Sequence, residues 1–280
     1  SGDPMTAATV GIVSATLVAV PVAVVGWLAA GRPAIPPAAV GLAIASGVLE
    51  TAYFVCLSSA YRHGDLSVVY PTARGTAPML AVAIGVVVFG ERLDPVGAFG
   101  VALLLGGLVA LTRPWRVLVG DPHAGDRTAT AYAVATGIII ATYSAIDRTG
   151  ARLTEPWLYA ALIWPAMAGG LLAWRWLRVP AGRRRPIAPL DAEAGGPAPF
   201  AASRAVIGGL ITLVAYALIL FAYTQAPLTA VAPLRESAVV LASGWGALRL
   251  GEAEGRRDAA RRLFAAGLVA VGIVLLALEG

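Results

Sequence analysis

The sequence predicts an all-α integral membrane protein, and three observations carry that prediction. Apolar residues make up 58% of the 280 positions and charged residues only 13%, against roughly 45–50% and 25% in soluble globular chains. Mean hydropathy is +0.77. The apolar residues run in blocks of about 17–25, the length that crosses a hydrocarbon core ~30 Å thick as a helix, whereas a membrane strand needs about 10 residues and alternates apolar with polar.

Nine spanning segments follow in order: Met5–Ala29, Ala38–Tyr61, Leu66–Phe89, Pro95–Leu111, Thr128–Asp147, Pro156–Trp174, Ala205–Ala226, Leu228–Leu250 and Leu263–Leu278. Most connections are short. The exception, 178–204, contains Arg183-Arg184-Arg185, several prolines and Gly195-Gly196, and is expected to be a flexible loop because it has little to bury.

The charged residues exclude several functions. All 21 basic residues are arginine, a bias of GC-rich and hence bacterial genomes, and they sit at helix ends and in loops. The net charge of +5 is therefore read as membrane anchoring and orientation, not as a nucleic-acid surface. Arginines concentrate in alternate loops, which the positive-inside rule assigns to the cytoplasm. One cysteine, Cys56, lies inside an apolar block and supports neither a disulfide framework nor a thiolate metal site. His63 and His123 fall in expected loops at no ligand spacing, so no nucleophile or metal cluster suggests an enzyme. The first apolar block is too long, and lacks the basic leader, for a cleaved signal peptide.

An internal repeat gives the chain its organisation. Ala60-Tyr61, Leu66, Val69 and Pro71 reappear as Ala222-Tyr223, Leu228, Val231 and Pro233 at one constant offset. After one residue drops out, Arg74, Leu80, Ala81, Gly85, Gly90 and Glu91 match Arg235, Leu241, Ala242, Gly246, Gly251 and Glu252. Matched proline, arginine and Gly-Glu positions mark two copies of one unit. Residues 1–112 are the first copy, 113–127 the connecting loop and 128–280 the second copy. Asp3-Pro4 corresponds to Glu155-Pro156, so Thr128–Asp147 has no counterpart in the first copy. Nine of an expected ten helices are thus present, with the first helix of copy one missing. An odd number of helices per copy inverts one copy against the other, a frequent transporter architecture.

The residues from Ala60 through Tyr61-Arg62-His63-Gly64-Asp65-Leu66-Ser67-Val68-Val69-Tyr70-Pro71, Ala73-Arg74-Gly75 and Pro78 to Gly90-Glu91-Arg92-Leu93 resemble the EamA-like branch of the drug/metabolite transporter superfamily. The Gly-Glu pair that closes the fourth helix of each five-helix unit recurs as Gly251-Glu252. The resemblance implies alternating-access transport without a cofactor, often export, often driven by exchange or a proton gradient. It is specific for fold and weak for substrate.

Ionisable residues inside apolar blocks are the natural candidates for a pathway. Glu50 is near the middle of its segment, Arg74 lies ~12 Å along its helix from Leu66, Arg235 lies ~10 Å from Leu228, and Glu236 follows. A central charge costs roughly 2.5–3.5 kcal/mol, so such groups are expected to be paired, hydrated or neutralised. The arginines suit an anionic group; the glutamates suit a coupling proton. The plainer alternative is a structural Arg–Glu pair. Tyr53 shares a helix face with Glu50, as Tyr70 does with Arg74. Tyr143, Trp164 and Tyr216 are expected at similar depth, with an interfacial belt as the alternative for the last two.

Pro71, Pro78 and Pro233 are candidate hinges, against ordinary membrane-helix kinks. Gly97, Gly100, Gly106, Gly107, Gly267 and Gly272 are expected to pack helices closely. Glu91 and Glu252 are expected to cap their own helices near water.

The leading expectation is a secondary-active transporter in a bacterial cytoplasmic membrane, moving a small polar or anionic metabolite or drug-like compound. Its partners would be that solute, membrane lipid and a coupling proton, with no nucleic acid. A flippase for a lipid-linked group and a non-transporting scaffold are the alternatives.

Overall fold

In a computed structural model of the chain, residues 4–63, 66–112, 127–178, 199–235 and 256–279 are described. They form α1 (Pro4–Ala29), α2 (Pro37–His63), α3 (Leu66–Val87), α4 (Pro95–Thr112), α5 (Arg127–Ala151), α6 (Pro156–Arg178), α7 (Pro199–Gln225), α8 (Leu228–Arg235) and α9 (Arg256–Glu279). No strand occurs among the described residues. Five of these helices are long and apolar enough to cross a membrane, and Thr72–Val87, Pro95–Ala110 and Leu263–Leu276 are shorter apolar stretches. The expected span Leu228–Leu250 is described only as far as Arg235, and the expected loop 178–204 lies mostly outside the described residues.

The chain divides into two units: Ser1–Ser58 with Ile146–Gln225, and Ser59–Ala145 with Ala226–Gly280. Each draws on both sequence copies, a different partition from the repeats.

In the first unit α1 packs on α6 and α7, and α6 on α7. Its core is Ile12, Ala15, Trp164, Met167, Ala168 and Leu171. Glycine lets the backbones approach. A Cβ on Gly47 of α2 would lie 2.6 Å from the Ala166 Cβ of α6, and one on Gly209 of α7 would strike the Gly11 carbonyl of α1. Thr51 follows on α2, its hydroxyl donating to the Gly47 carbonyl at 2.9 Å. The outward faces keep large apolar side chains such as Leu17, Val22, Ile211 and Leu218 exposed, as a lipid-facing surface requires.

In the second unit α4 lies along α9 and α3 packs on α8. Val101, Leu104, Leu108, Ala230, Val269 and Leu276 form the core. A Cβ on Gly107 would meet Val269 Cγ2 at 2.6 Å, and one on Gly272 would meet the Gly100 carbonyl at 2.6 Å. Close packing therefore holds for Gly100, Gly107 and Gly272. Gly106 and Gly267 face open space: a residue one step along a helix points some 100° away from its neighbour. Gly97 has another use, its N–H donating to Asp94 Oδ1 at 2.6 Å in the first turn of α4, where Asp94-Pro95 is a favourable start.

Three expectations need correction. The helix expected to end at Asp147 continues to Ala151. Its buried stripe Thr136, Ile140, Tyr143, Ser144, Asp147 and Ala151 keeps helical period past the first charge. His63 is the last residue of α2, not a loop residue; its Nδ1 lies 2.8 Å from the Ser59 carbonyl and its ring stacks on Tyr132 at 6.0 Å. The side chain of Glu91 does not cap its own helix; both its oxygens go to the start of α8. Glu252 and His123 lie outside the described residues.

Candidate functional site

The first unit holds a buried carboxylate that sequence inspection had taken for a helix end. Asp147 on α5 is 1% exposed. Tyr159 on α6 donates its hydroxyl to Oδ1 at 3.3 Å, and Tyr216 on α7 donates its hydroxyl to Oδ2. Hydrogen bonds to an ionised group are stronger than neutral ones, so two phenols stabilise a carboxylate that burial alone would penalise. Glu50 on α2 is 5% exposed, and its carboxyl lies within electrostatic reach of Tyr159. Two acids and two tyrosines from four helices thus share one apolar interior.

Trp164 and Tyr216, both predicted, meet edge to face with ring centroids 6.4 Å apart. Trp164 is 1% exposed, which rules out the belt alternative for it, and its Nε1 has no hydrogen-bond partner among the described residues. Tyr53 packs edge-on against its neighbour Phe54 at 5.0 Å. Gly150 lies against Tyr159 so closely that a Cβ there would overlap the ring.

The second unit holds the arginines. Arg235 on α8 donates from Nη2 to the Tyr143 hydroxyl at 2.6 Å and from Nη1 to Ser144 Oγ at 3.3 Å. Its Cζ also stands 5.4 Å from the Tyr143 ring centroid, within cation–π range. The guanidinium edges a narrow crevice lined also by Ala77, Pro78, Ile140, Ser144 and Ala232. Arg74 is half-buried on α3. α3 runs unbroken through Pro78, and Pro233 is buried inside α8. The side chains of Tyr70 and Pro71, and all of Glu236, lie outside the described residues.

The predicted pair Tyr143 and Arg235 is therefore brought together, as are Trp164 and Tyr216. Asp147, Tyr159 and Ser144 were missed. The signal for two of them was present: Ser144 and Asp147 fall at helical spacing on the face that carries Ile140 and Tyr143.

Among the described residues no group of three or more histidine, cysteine or acidic side chains could hold a metal. What these arrangements can do is bind charge: the second unit offers a fixed cation, the first a carboxylate framed by aromatic rings.

Residues 1–113 match the EamA-like transporter family. The match bears out the resemblance read in the sequence. Spermidine export protein MdtI of Salmonella paratyphi B, and the same protein of Salmonella newport and Salmonella heidelberg, are each 45% identical over 60 residues. Those residues are 21% of this chain, and the chain spans about half the length of these relatives, 55%. A solved crystal structure superposes with a TM-score of 0.67 at 18% identity, over 99% of this chain and 89% of the other, a likeness of fold. The EamA-like family and the relatives are transporters, not enzymes.

Proposed function

We propose that the chain is a secondary-active transporter for a small polar or charged solute, an exporter or exchanger working by alternating access. Each unit supplies charged candidates for the solute, the buried Glu50 and Asp147 in one and the half-buried Arg74 and Arg235 in the other. The proposal includes two inverted copies, 1–112 and 128–280, as the basis of that alternation. The observation that carries the reading is the held guanidinium of Arg235, a charge fixed by Tyr143 and Ser144 within an apolar helical unit. Intramembrane ionisable residues mark substrate or ion pathways. The arginines favour an anionic or carboxylate-bearing solute.

A second reading within transport has its own support. Asp147 with Tyr159, Tyr216 and Trp164 is the chemistry that receives an organic ammonium group, and the relatives are named as exporters of spermidine. Counterflow in proteoliposomes separates the two readings. Labelled spermidine and a labelled dicarboxylate are offered in parallel, with Arg235→Ala and Asp147→Asn beside the parent. An anion carrier moves the dicarboxylate and loses it in Arg235→Ala. A cation carrier moves spermidine and loses it in Asp147→Asn. Flux of any solute that survives Arg74→Ala, Glu50→Gln, Arg235→Ala and Asp147→Asn alike would sink the pathway assignment.

A further inference from the structure

Glu91 stands in the link after α3, and both oxygens of its carboxylate go to the start of another helix. Oε1 accepts the Leu228 N–H at 2.9 Å and Oε2 accepts the Thr229 N–H at 2.9 Å. The next two N–H groups, of Ala230 and Val231, go to the Pro227 carbonyl at 3.2 and 3.1 Å. All four donors that a helix start leaves without an intrahelical partner are thereby satisfied, two of them by one anion at the positive end of the helix.

Glu91 is itself pinned to α3. Gly90 takes φ 63°, a left-handed turn that glycine adopts without strain, and it lets the Glu91 N–H fold back to the Gly85 carbonyl at 3.0 Å. Gly85 leaves the passage open: a Cβ there would lie 2.6 Å from both Glu91 Oε2 and Thr229 Cγ2. One residue thus joins the end of α3 to the start of α8, through its backbone on one side and its side chain on the other.

We infer that Glu91 is a positioning residue for Arg235: by fixing where α8 begins, it sets where the guanidinium sits. Between that cap and Arg235 lies Pro233, which donates no N–H, so the first turns of α8 depend on the bonds at their start. Arg235 lies seven residues beyond Leu228, ~10.5 Å along the axis, so a shift at the cap is carried to the arginine by a short rigid rod. The inference rests on the assignment of Arg235 to the pathway.

The test needs no transport, which separates its failure from failure of that assignment. In the full chain with Cys56→Ser, Ser144→Cys puts a thiol beside Arg235 Nη1, and a nearby guanidinium lowers the pH at which a thiol ionises. Methanethiosulfonate reactivity is followed against pH in lipid nanodiscs. Adding Arg235→Ala should raise the midpoint by on the order of one pH unit. Adding Glu91→Gln in place of Arg235→Ala should raise it toward the same value, and the two together should go no further. A midpoint unmoved by Glu91→Gln, while hydrogen exchange at Leu228 and Thr229 shows the cap lost, overturns the inference. Should Glu91→Gln not fold, Glu91→Asp, too short to keep both bonds, is judged by the same shift.

Discussion

Tyr216 on α7 donates a hydrogen bond from its hydroxyl to Asp147 on α5, inside the first unit and next to the Trp164 ring. Tyr159 reaches the other carboxylate oxygen from α6, so a single buried acid ties three helices together.

Tyr216→Phe should therefore lower stability by about 1.5–3 kcal/mol, the usual worth of a hydrogen bond to a charged group. Thermal unfolding in detergent, followed by size exclusion, reads the loss. Asp147→Asn should be comparably destabilising, because the amide cannot accept from both phenols as a carboxylate does. A melting temperature unchanged in both variants would mean that the bonds carry no net energy.

Gly150→Ala should disturb the same carboxylate from the other side. The added Cβ would overlap the Tyr159 ring, which is fully buried and has nowhere to swing. Overpacking of this kind costs about 1–3 kcal/mol. Gly169→Ala on α6 meets nothing within 4 Å and serves as the neutral control.

The adjacent glycines Gly106 and Gly107 should behave oppositely. Gly107→Ala drives a Cβ into Val269 and the Ala265 carbonyl, separating α4 from α9. It should destabilise by about 1–3 kcal/mol. Gly106→Ala enters open space and should be neutral or stabilising by up to about 1 kcal/mol, since alanine restricts the unfolded chain. Parallel thermal unfolding of the two variants checks the sign of each effect.

Arg235→Lys should not substitute for arginine. The guanidinium reaches Tyr143 and Ser144 from two nitrogens at once, whereas an ammonium is a point donor. Solute flux in proteoliposomes should fall at least tenfold in Arg235→Lys, a change of about 1.4 kcal/mol. Tyr143→Phe removes one of the two anchors and should give a smaller loss.

The sequence by itself determined the solvent and the secondary structure, and it carried the resemblance that the match over residues 1–113 bears out. Long apolar blocks with few charges permit little else than membrane helices, because backbone groups in lipid must be satisfied within each segment. Eight of the nine expected spans coincide with helices to within a few residues at most boundaries, and the ninth, Leu228–Leu250, is described only through Arg235. The stretch around Gly90-Glu91 that carries the resemblance falls within residues 1–113, which match the EamA-like transporter family. Tertiary structure alone decided which polar groups meet. Periodicity puts Tyr143 and Asp147 on one helix face but cannot say which tyrosines from other helices arrive there. Glu91 makes the point most sharply: its position after Gly90 suggests a local cap, yet its partners lie more than 130 residues along the chain, at the start of α8. A carboxylate satisfies whichever N–H groups the fold brings within ~3 Å, and sequence spacing does not encode that distance.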